Sequence, residues 1–293
     1  MEFTLSNDSL TIEVNSKGAE LNSIKGDNGI EYLWQADSNF WGRHAPVLFP
    51  IVGRLKNDQY EYEGKKYSLG QHGFARDMEF ELSDRTADSI TMVLKANAET
   101  KPVYPFDFLL FVKYTLDKTT VKVDLTVVNQ GTNEMYFSVG AHPAFNVPLN
   151  ADQHFDDYQV KVAPREIFNQ IPLENSLSAA KDGSELDFKN PLPVSRELFK
   201  NDAVILDLQQ QPIDVMLESK HTLNQHGVSL HTDNAKYMGL WSQYPSDAQF
   251  VCIEPWWGIA DDVDADGLLI HKKGIEQLAS GDRFDACFDI TVY

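Results

Sequence analysis

Short runs in which apolar and polar residues alternate recur along most of the 293-residue chain, and they constrain its fold more than any other feature. Alternation with a period of two places successive side chains on opposite faces of an extended strand, so each run can bury one face. Turn-forming residues separate the runs at roughly the 8–12-residue spacing of sandwiches and barrels, and helical periodicity is nearly absent. The pattern therefore indicates an all-β, antiparallel sandwich or barrel.

Two predicted hairpins illustrate this pattern, one over residues 59–69 and one over residues 108–128. Tyr60, Tyr62 and Tyr67 in the first hairpin are aromatic residues typical of strands. The other predicted strands are 9–14, 19–24, 90–96, 136–139, 158–162, 204–208, 215–218, 228–231, 237–241, 250–253 and 286–292.

Helical turns are expected only in short segments such as residues 193–199 and 275–278. No linker, repeat or low-complexity tract interrupts the chain. Because all-β sandwiches can extend to ~250 residues as one unit, we expect a single domain over residues 1–293.

Composition and charge narrow the class of protein. Hydrophobic residues make up 42% of the chain and aromatic residues 11%, which suits a large core and excludes a disordered chain. A net charge of −19 would repel a nucleic-acid backbone, so we expect no nucleic-acid partner. The same charge disfavours an anionic substrate unless local arginines overcome it.

Targeting and membrane-spanning patterns are not recognisable in the sequence. The first residues alternate like a strand and do not form a basic segment followed by an apolar run. No apolar stretch reaches the ~20 residues of a membrane-spanning helix. Cys252 and Cys287 each lie in an apolar run and are predicted to be reduced core residues. We therefore expect a cytoplasmic protein with no membrane partner.

Glu254 stands out within residues 250–258 (FVCIEPWWG), where it ends an apolar run and precedes a proline and two tryptophans. Alternation places it on the same face as Phe250 and Cys252, so it can point inward. An apolar setting raises the pKa of a carboxyl toward the range of a general base. The alternative is an exposed glutamate at a strand end, with both tryptophans in the core.

Two histidines and two arginines occur in similarly unusual segments. His142 lies in residues 139–146 (VGAHPAFN), where a proline ends a strand, and His72 precedes a glycine in residues 71–76 (QHGFAR). Such positions can present an acid or base to a ligand, or hold a hydrogen-bonded structural histidine. Arg54 and Arg76 each follow an apolar or glycine-containing stretch, so each could meet a ligand oxygen or a carboxylate of the fold.

Two patterns suggest a metal site but fit poorly. Residues 262–267 (DVDADG) match the opening of a calcium loop, yet the closing position is Lys273 and no helices flank it. His221, His226 and His231 recur every five residues, which would alternate their faces on a strand. We therefore expect neither calcium nor zinc at these places.

Taken together and in this order, the segments QHGFAR, AHPAFN and CIEPWWG resemble the aldose 1-epimerase (galactose mutarotase) family, in particular its short bacterial members. The resemblance extends from the N-terminal strands to residues 278–282 (LASGD), which are similar to the family's closing signature. It implies an antiparallel β-supersandwich with an open sugar-binding cleft. It also implies catalysis without a metal or nucleotide cofactor.

Carried over residue by residue, the resemblance implies that Glu254 is the general base and His142 the general acid. His72 would position the substrate or assist the acid. Arg54 matches the arginine after the family's proline–glycine stretch. Asp202 resembles the family aspartate that binds sugar hydroxyls.

The implied reaction interconverts the α and β anomers of an aldose. A base takes the proton of the anomeric hydroxyl while an acid protonates the ring oxygen, the open chain turns about C1–C2, and the ring closes again. Since neither hydride nor phosphate moves, no cofactor is expected. Trp256 or Trp257 could stack on the apolar face of the sugar, although either also fits a core position.

Other functions remain open. Asn57 is followed by Asp58 where many family members have an Asn-Arg pair, which weakens the match of Arg54. Residues 73–76 (GFAR) also resemble the hexose-6-phosphate 1-epimerase branch, in which Arg76 would meet a phosphate. We favour an unphosphorylated sugar as the partner, because no basic cluster accompanies that arginine. A homodimer is compatible with the sequence.

Two functions of other classes are less well supported. A carbohydrate-binding module without catalysis would not need both Glu254 and His142. A glycoside hydrolase would need two carboxylates across its cleft, and only Glu254 is suggested by the sequence.

Overall fold

Strands make up most of the regular structure in this computed structural model, which describes residues 1–221 and 226–293. In chain order the strands are β1 (Glu2–Ser6), β2 (Leu10–Asn15), β3 (Leu21–Gly26), β4 (Val47–Leu48), β5 (Gln59–Tyr62), β6 (Lys65–Ser68), β7 (Glu81–Arg85), β8 (Ser89–Lys95), β9 (Phe108–Asp117), β10 (Thr120–Asn129), β11 (Met135–Phe137), β12 (Val139–Ala141), β13 (Ala144–Asn146), β14 (Tyr158–Ala163), β15 (Ile167–Ile171), β16 (Leu173–Glu174), β17 (Leu177–Ser178), β18 (Ser184–Asp187), β19 (Leu192–Pro193), β20 (Val204–Asp207), β21 (Ile213–Ser219), β22 (Gly227–Thr232), β23 (Tyr237–Trp241), β24 (Phe250–Trp257), β25 (Glu276–Leu278) and β26 (Arg283–Val292).

The helices in the described residues are 3₁₀ turns of three or four residues. They are Lys56–Asp58, Ala75–Asp77, Phe155–Asp157, Ala180–Asp182, Arg196–Phe199 and Leu269–His271. Within the part of the chain that the structure describes, no helix has the length and apolar character to cross a membrane.

The larger sheet has nine antiparallel strands in the order β19-β14-β21-β22-β26-β10-β9-β8-β7. It contains the β9–β10 hairpin, in which Val123 lies opposite Tyr114. In both strands buried residues alternate with less buried ones, which is the pattern of a sheet with one face on the core and the other toward solvent.

The second sheet has the order β18-β15-β20-β23-β24-β12-β4, and β13 also pairs with β24. Every residue of β24 is buried, so this strand is covered on both faces. On one face, Ile253 and Trp257 pack in the same core cluster as Leu125 of the nine-stranded sheet. On the other face, Glu254 and Trp256 line a cleft.

Smaller sheets complete the structure: β1-β2-β3, and the pairs β5-β6, β11-β25 and β16-β17. The two residues that join β5 and β6, Glu63 and Gly64, have φ values of 49° and 72°. A two-residue turn of type I′ needs positive φ at both central positions, which suits the glycine.

The predicted fold class is confirmed, and so are both predicted hairpins. The helical turn predicted at residues 275–278 is wrong, because Glu276–Leu278 pairs with β11 as a strand. The prediction that Cys287 is a core residue is also wrong. Alternation along β26 places Ala286 and Phe288 inside and leaves Cys287 exposed, whereas Cys252 is buried.

Candidate active site

Glu254 and His142 face each other across neighbouring strands. β24 pairs with β12 at Trp256 and with β13 at Cys252, and His142 lies between β12 and β13, opposite Glu254. On the other side of Glu254 lies Gly239 of β23. A Cβ atom at Gly239 would come within 2.8 Å of the Trp256 ring and 3.3 Å of the Glu254 Cβ. Glycine therefore leaves room for both side chains.

The two side chains form a close, buried pair. His142 Nε2 lies 3.1 Å from Glu254 Oε2, and the exposed fractions of the two residues are 8% and 1%. Both Glu254 oxygens and His142 Nδ1 are buried with no hydrogen-bond partner among the described residues. Buried polar atoms are normally satisfied. Unsatisfied ones at the floor of a cleft indicate a ligand site.

Burial acts on the two groups in opposite directions. It raises the pKa of the Glu254 carboxyl well above its usual value, and repulsion from Asp202 adds to the rise. It lowers the pKa of His142 to about 3, and Arg76 and Arg43 further disfavour the imidazolium. Burial therefore favours both neutral forms, whereas the 3.1 Å contact favours opposite charges. Whether both groups are neutral or carry opposite charges, the pair holds one titratable proton.

His72 lies beside this pair with a backbone φ of 65°, which is strained for a residue other than glycine. Its N–H donates to the Gly53 carbonyl at 2.9 Å, and the Gly53 N–H donates to His72 Nδ1 at 3.1 Å. Because Nδ1 accepts, the ring proton is assigned to Nε2. Burial, with repulsion from His142, lowers the pKa of His72 well below its usual value. His72 is therefore a neutral hydrogen-bond donor.

Asp202 and Arg76 line the same cleft. Asp202 has a φ of 74°, and one of its carboxylate oxygens accepts the N–H of Ala203 at 2.9 Å. The Arg76 guanidinium donates to the Gln71 carbonyl at 2.8 Å. Its buried Nε has no hydrogen-bond partner in the described chain but lies 3.8 Å from Asp77 Oδ2, with which it forms an ion pair. Both side chains thus present polar atoms to a small molecule in the cleft.

Arg54 lies outside the cleft, in contrast to its predicted role as a substrate ligand. Its guanidinium donates two hydrogen bonds of 2.8 Å to Asp58, and 44% of its side chain is exposed. The backbone of the preceding Gly53 lines the cleft instead. The carboxylate at position 58 therefore holds Arg54 toward solvent, and the structure gives its predicted role no support.

Aromatic rings form much of the cleft wall. The cleft has a volume of about 410 Å³, and Trp41, Trp241 and Trp256 contribute to its lining. The Trp41 ring stacks on His142 with 4.8 Å between ring centroids, and Trp241 meets His142 edge-on at 5.6 Å. Trp257 packs in the core on the opposite face of β24. Of the two tryptophans considered for sugar stacking, only Trp256 is at the cleft.

Sequence reasoning missed several residues that line the cleft, among them Trp41, Trp241 and Gln243. Trp241 ends a predicted strand, which is a signal that could have suggested it. Gln243 follows two residues later, and its Oε1 is buried without a partner among the described residues. Trp41 lies in an irregular segment, where no periodic pattern places side chains.

The acidic segment that resembles a calcium loop bonds within the protein. Asp262 accepts the N–H of Asp264 at 3.1 Å, Asp264 pairs with Lys181, and Asp266 contacts His271 at 2.7 Å. Each of these three carboxylates thus has a partner.

The three histidines spaced by five residues also lie apart. His221 contacts Asp157, His226 contacts the Tyr293 carbonyl, and His231 contacts Asp214. Among the described residues, the group with metal-ligand spacing lies elsewhere: ligand atoms of His142, Cys252 and Glu254 are all within 4.8 Å of one another.

Fold and site together define a class of protein: an all-β sandwich with a buried imidazole–carboxylate pair at the floor of a small-molecule cleft. The model of the family described as aldose 1-epimerase matches residues 1–266. The chain belongs to the aldose 1-epimerase family.

Three relatives of this chain match it over nearly their whole length. The chromosomal protein LacX of Lactococcus lactis subsp. lactis is 32% identical over 301 residues, which cover 100% of this chain and 99% of LacX. A crystallised galactose mutarotase related enzyme from Lactobacillus acidophilus is 42% identical, with a TM-score of 0.97 and coverage of 100% and 97%. A galactose mutarotase-like protein from Lactobacillus casei ATCC 334 is 32% identical, with a TM-score of 0.91 and 100% coverage of both chains. The predicted family is thereby confirmed.

Proposed function

We propose that the protein is a mutarotase that interconverts the α and β anomers of a free aldose. The observation that carries this proposal is the buried contact of 3.1 Å between His142 Nε2 and Glu254 Oε2 at the floor of the cleft. The anomeric oxygen and the ring oxygen of an aldose are bonded to one carbon, so they are neighbours. The groups that exchange protons with them must be neighbours too, as these two are.

Glu254 acts as the general base in this proposal and His142 as the general acid. When the ring opens, the Glu254 carboxylate takes the proton of the anomeric hydroxyl, and the His142 imidazolium protonates the ring oxygen. The C–O bond to the ring oxygen breaks as the aldehyde forms. After rotation about C1–C2, both proton transfers reverse and the other anomer closes.

The number of protons held by the pair is consistent with these roles. The pair begins as a carboxylate and an imidazolium and ends as a carboxylic acid and a neutral imidazole, so it holds one proton throughout. Burial raises the pKa of Glu254 and lowers that of His142, which makes the first a stronger base and the second a stronger acid. The contact between the two groups favours the charged form of the pair and so opposes burial, which favours the neutral form. The two forms are therefore close in free energy.

The remaining cleft residues suit a hydroxyl-rich molecule. His72, neutral and protonated at Nε2, donates to a substrate oxygen, and Asp202 accepts from sugar hydroxyls. The Trp256 ring offers an apolar face on which a pyranose can stack.

Polarimetry on freshly dissolved α-glucose and α-galactose tests this function. We expect the wild-type protein to accelerate relaxation to the anomeric equilibrium without added metal or nucleotide. Glu254→Gln and His142→Asn should each lower kcat by ~10²-fold or more, the usual scale for losing a general base or acid. Matched changes on the nine-stranded sheet, Asp124→Asn and His231→Asn, should leave kcat unchanged. Full activity in either cleft variant would refute the role assigned to that residue.

A hexose-6-phosphate is the second candidate substrate, because Arg76 lines the cleft and its buried Nε lacks a hydrogen-bond partner in the described chain. Arg43 adds positive charge nearby but pairs with Asp77 at 3.0 Å. A guanidinium can bind phosphate through two charge-assisted bonds, each worth ~1.5–3 kcal/mol. The net charge of −19 opposes such an anion over longer distances.

The comparison of kcat/KM for a free aldose and its 6-phosphate separates the two candidates. We expect the free sugar to be preferred, and Arg76→Ala to affect both sugars alike. Arg54→Ala is the matched control, since its side chain is exposed and paired with Asp58, and its kinetics should equal wild type. A tenfold or larger preference for the phosphate that Arg76→Ala removes would establish the second candidate.

A further inference from the structure

Cys252 lies next to the acid–base pair but has no part in the proposed chemistry. It is fully buried on β24 and shares a face of that strand with Glu254. Its sulfur, one imidazole nitrogen of His142 and one carboxylate oxygen of Glu254 all lie within 4.8 Å of one another. The sheet therefore gathers three different metal-ligating atoms at one point.

The three donors suit one kind of cation. Nitrogen, sulfur and oxygen ligands together are characteristic of Zn²⁺, which is bound at about 2.0–2.3 Å in tetrahedral geometry. Ligand atoms around one such ion are roughly 3.4 Å apart, so the most distant of these atoms would close by up to ~1.4 Å. Both Glu254 oxygens are buried with no hydrogen-bond partner in the described residues, which independently indicates a missing ligand. Three protein ligands leave the fourth position to the cleft.

We propose that His142, Cys252 and Glu254 form a binding site for Zn²⁺ or a similar divalent transition metal, and that the bound ion inhibits the enzyme. The ion occupies the imidazole nitrogen and the carboxylate that the acid–base chemistry needs. Water or a sugar oxygen completes its coordination from the cleft. The inhibition rests on the proposed mutarotase function, whereas the binding does not.

Metal binding releases protons, because the thiol must lose its proton to become a ligand and the proton held by the His142–Glu254 pair must also leave. These protons pass to the buffer. Sugar and metal should exclude each other, because both need the His142–Glu254 pair.

Cobalt absorption tests the binding directly. After treatment with a chelator and its removal, the full-length protein is titrated with Co²⁺, which reports a thiolate ligand through a charge-transfer band in the near ultraviolet. We expect one equivalent to produce this band and Zn²⁺ to abolish it. Cys252→Ser should lack the band, and Cys287→Ser, which changes the exposed thiol on β26, should keep it. Cys252→Ala serves as a second variant, with circular dichroism as the check on folding.

Several outcomes would overturn the site. No band in the wild-type protein excludes thiolate ligation, and a band that persists in Cys252→Ser or disappears in Cys287→Ser places the metal elsewhere. His231, which contacts Asp214 at 2.9 Å and Asp233 at 3.2 Å on the surface, is the alternative place for adventitious binding. The variant His231→Asn should therefore bind Co²⁺ as the wild type does.

Inhibition kinetics test the second half of the proposal. We expect Zn²⁺ to inhibit mutarotation competitively with the sugar, and EDTA to restore the rate. Cys252→Ala should keep its mutarotase activity while needing at least ~10-fold more Zn²⁺ for inhibition, the scale of losing a supporting metal contact. Equal sensitivity of this variant and the wild type would refute the inhibitory site. A protein that gives the cobalt band but catalyses no mutarotation would refute the proposed function and leave the metal site standing.

Discussion

Two histidines contact a carboxylate, His231 on β22 of the nine-stranded sheet and His142 beside β24 of the eight-stranded sheet. Their pKa values are nevertheless shifted in opposite directions. His231 is partly buried, which lowers its pKa, but its hydrogen bonds to Asp214 and Asp233 outweigh burial and raise the pKa overall. At His142 burial dominates and lowers the pKa to about 3. Where one face of the sheet meets solvent, the hydrogen-bond partners of a histidine determine its protonation state. Where both faces are buried, desolvation outweighs those partners.

The strands of the two sheets also differ in burial. Buried and less buried residues alternate along β10, so its polar side chains reach solvent. All eight residues of β24 are buried, so Glu254 remains in a covered sheet with Trp256. The first sheet thus supplies stability, and the second holds polar groups whose desolvation is useful to chemistry. Three predictions examine this division, from the largest expected effect to the smallest.

Leu125→Ala removes a fully buried side chain from β10. Loss of a buried leucine costs about 2–5 kcal/mol of unfolding free energy, because transfer and cavity effects add. We expect urea unfolding to show this loss while kcat of the folded protein is unchanged. Glu254→Gln should do the reverse, with a large loss of kcat and little change in unfolding. A matching fall in kcat for Leu125→Ala would contradict the division between the sheets.

The two histidines should give stability opposite dependences on pH. The folded-state pKa of His142, about 3, lies below its unfolded value, so only the unfolded state gains a proton as pH falls through 6.5. Wild-type protein should therefore lose up to about 2 kcal/mol from this residue between pH 7 and 5, and His142→Asn should not. The raised pKa of His231 acts the other way: its contribution is present below 6.5 and is lost as pH rises.

Urea unfolding of the wild type, His142→Asn and His231→Asn across this pH range measures both effects. The stability of His142→Asn relative to the wild type should rise toward low pH, and that of His231→Asn should fall. If the stability of both variants relative to the wild type changed in the same direction with pH, burial would not explain the difference between the two histidines.

Trp41→Leu should have the smallest effect. The stacked rings of Trp41 and His142 contribute about 0.5–1.5 kcal/mol, which corresponds to roughly 2–13-fold in kcat if the contact positions the acid. Opening this wall also admits water, so the acidic limb of the kcat–pH profile should move to higher pH as the pKa of His142 rises. Phe111→Leu, on the outer face of β9, is the control and should change neither quantity. A loss of kcat without a shift of the kcat–pH profile would show that Trp41 has only a structural role.

Local alternation and motif chemistry are what the sequence by itself determined. The period-two pattern of residues 120–128 and the Glu63–Gly64 turn follow from side-chain and backbone preferences of neighbouring residues, so they could be read without coordinates. The segments containing His72, His142 and Glu254 could be singled out for the same reason.

The tertiary structure decided which of these groups meet. His142 faces Glu254 because β12 and β13 pair with β24 in one particular register, and a shift of one residue would turn each side chain to the other face. Arg54 is held away from the cleft by Asp58, although its place in the motif predicted a substrate contact. Trp41 reaches His142 from an irregular segment. Contacts between distant segments depend on strand pairing and packing, and neither is encoded in the pattern of any one segment.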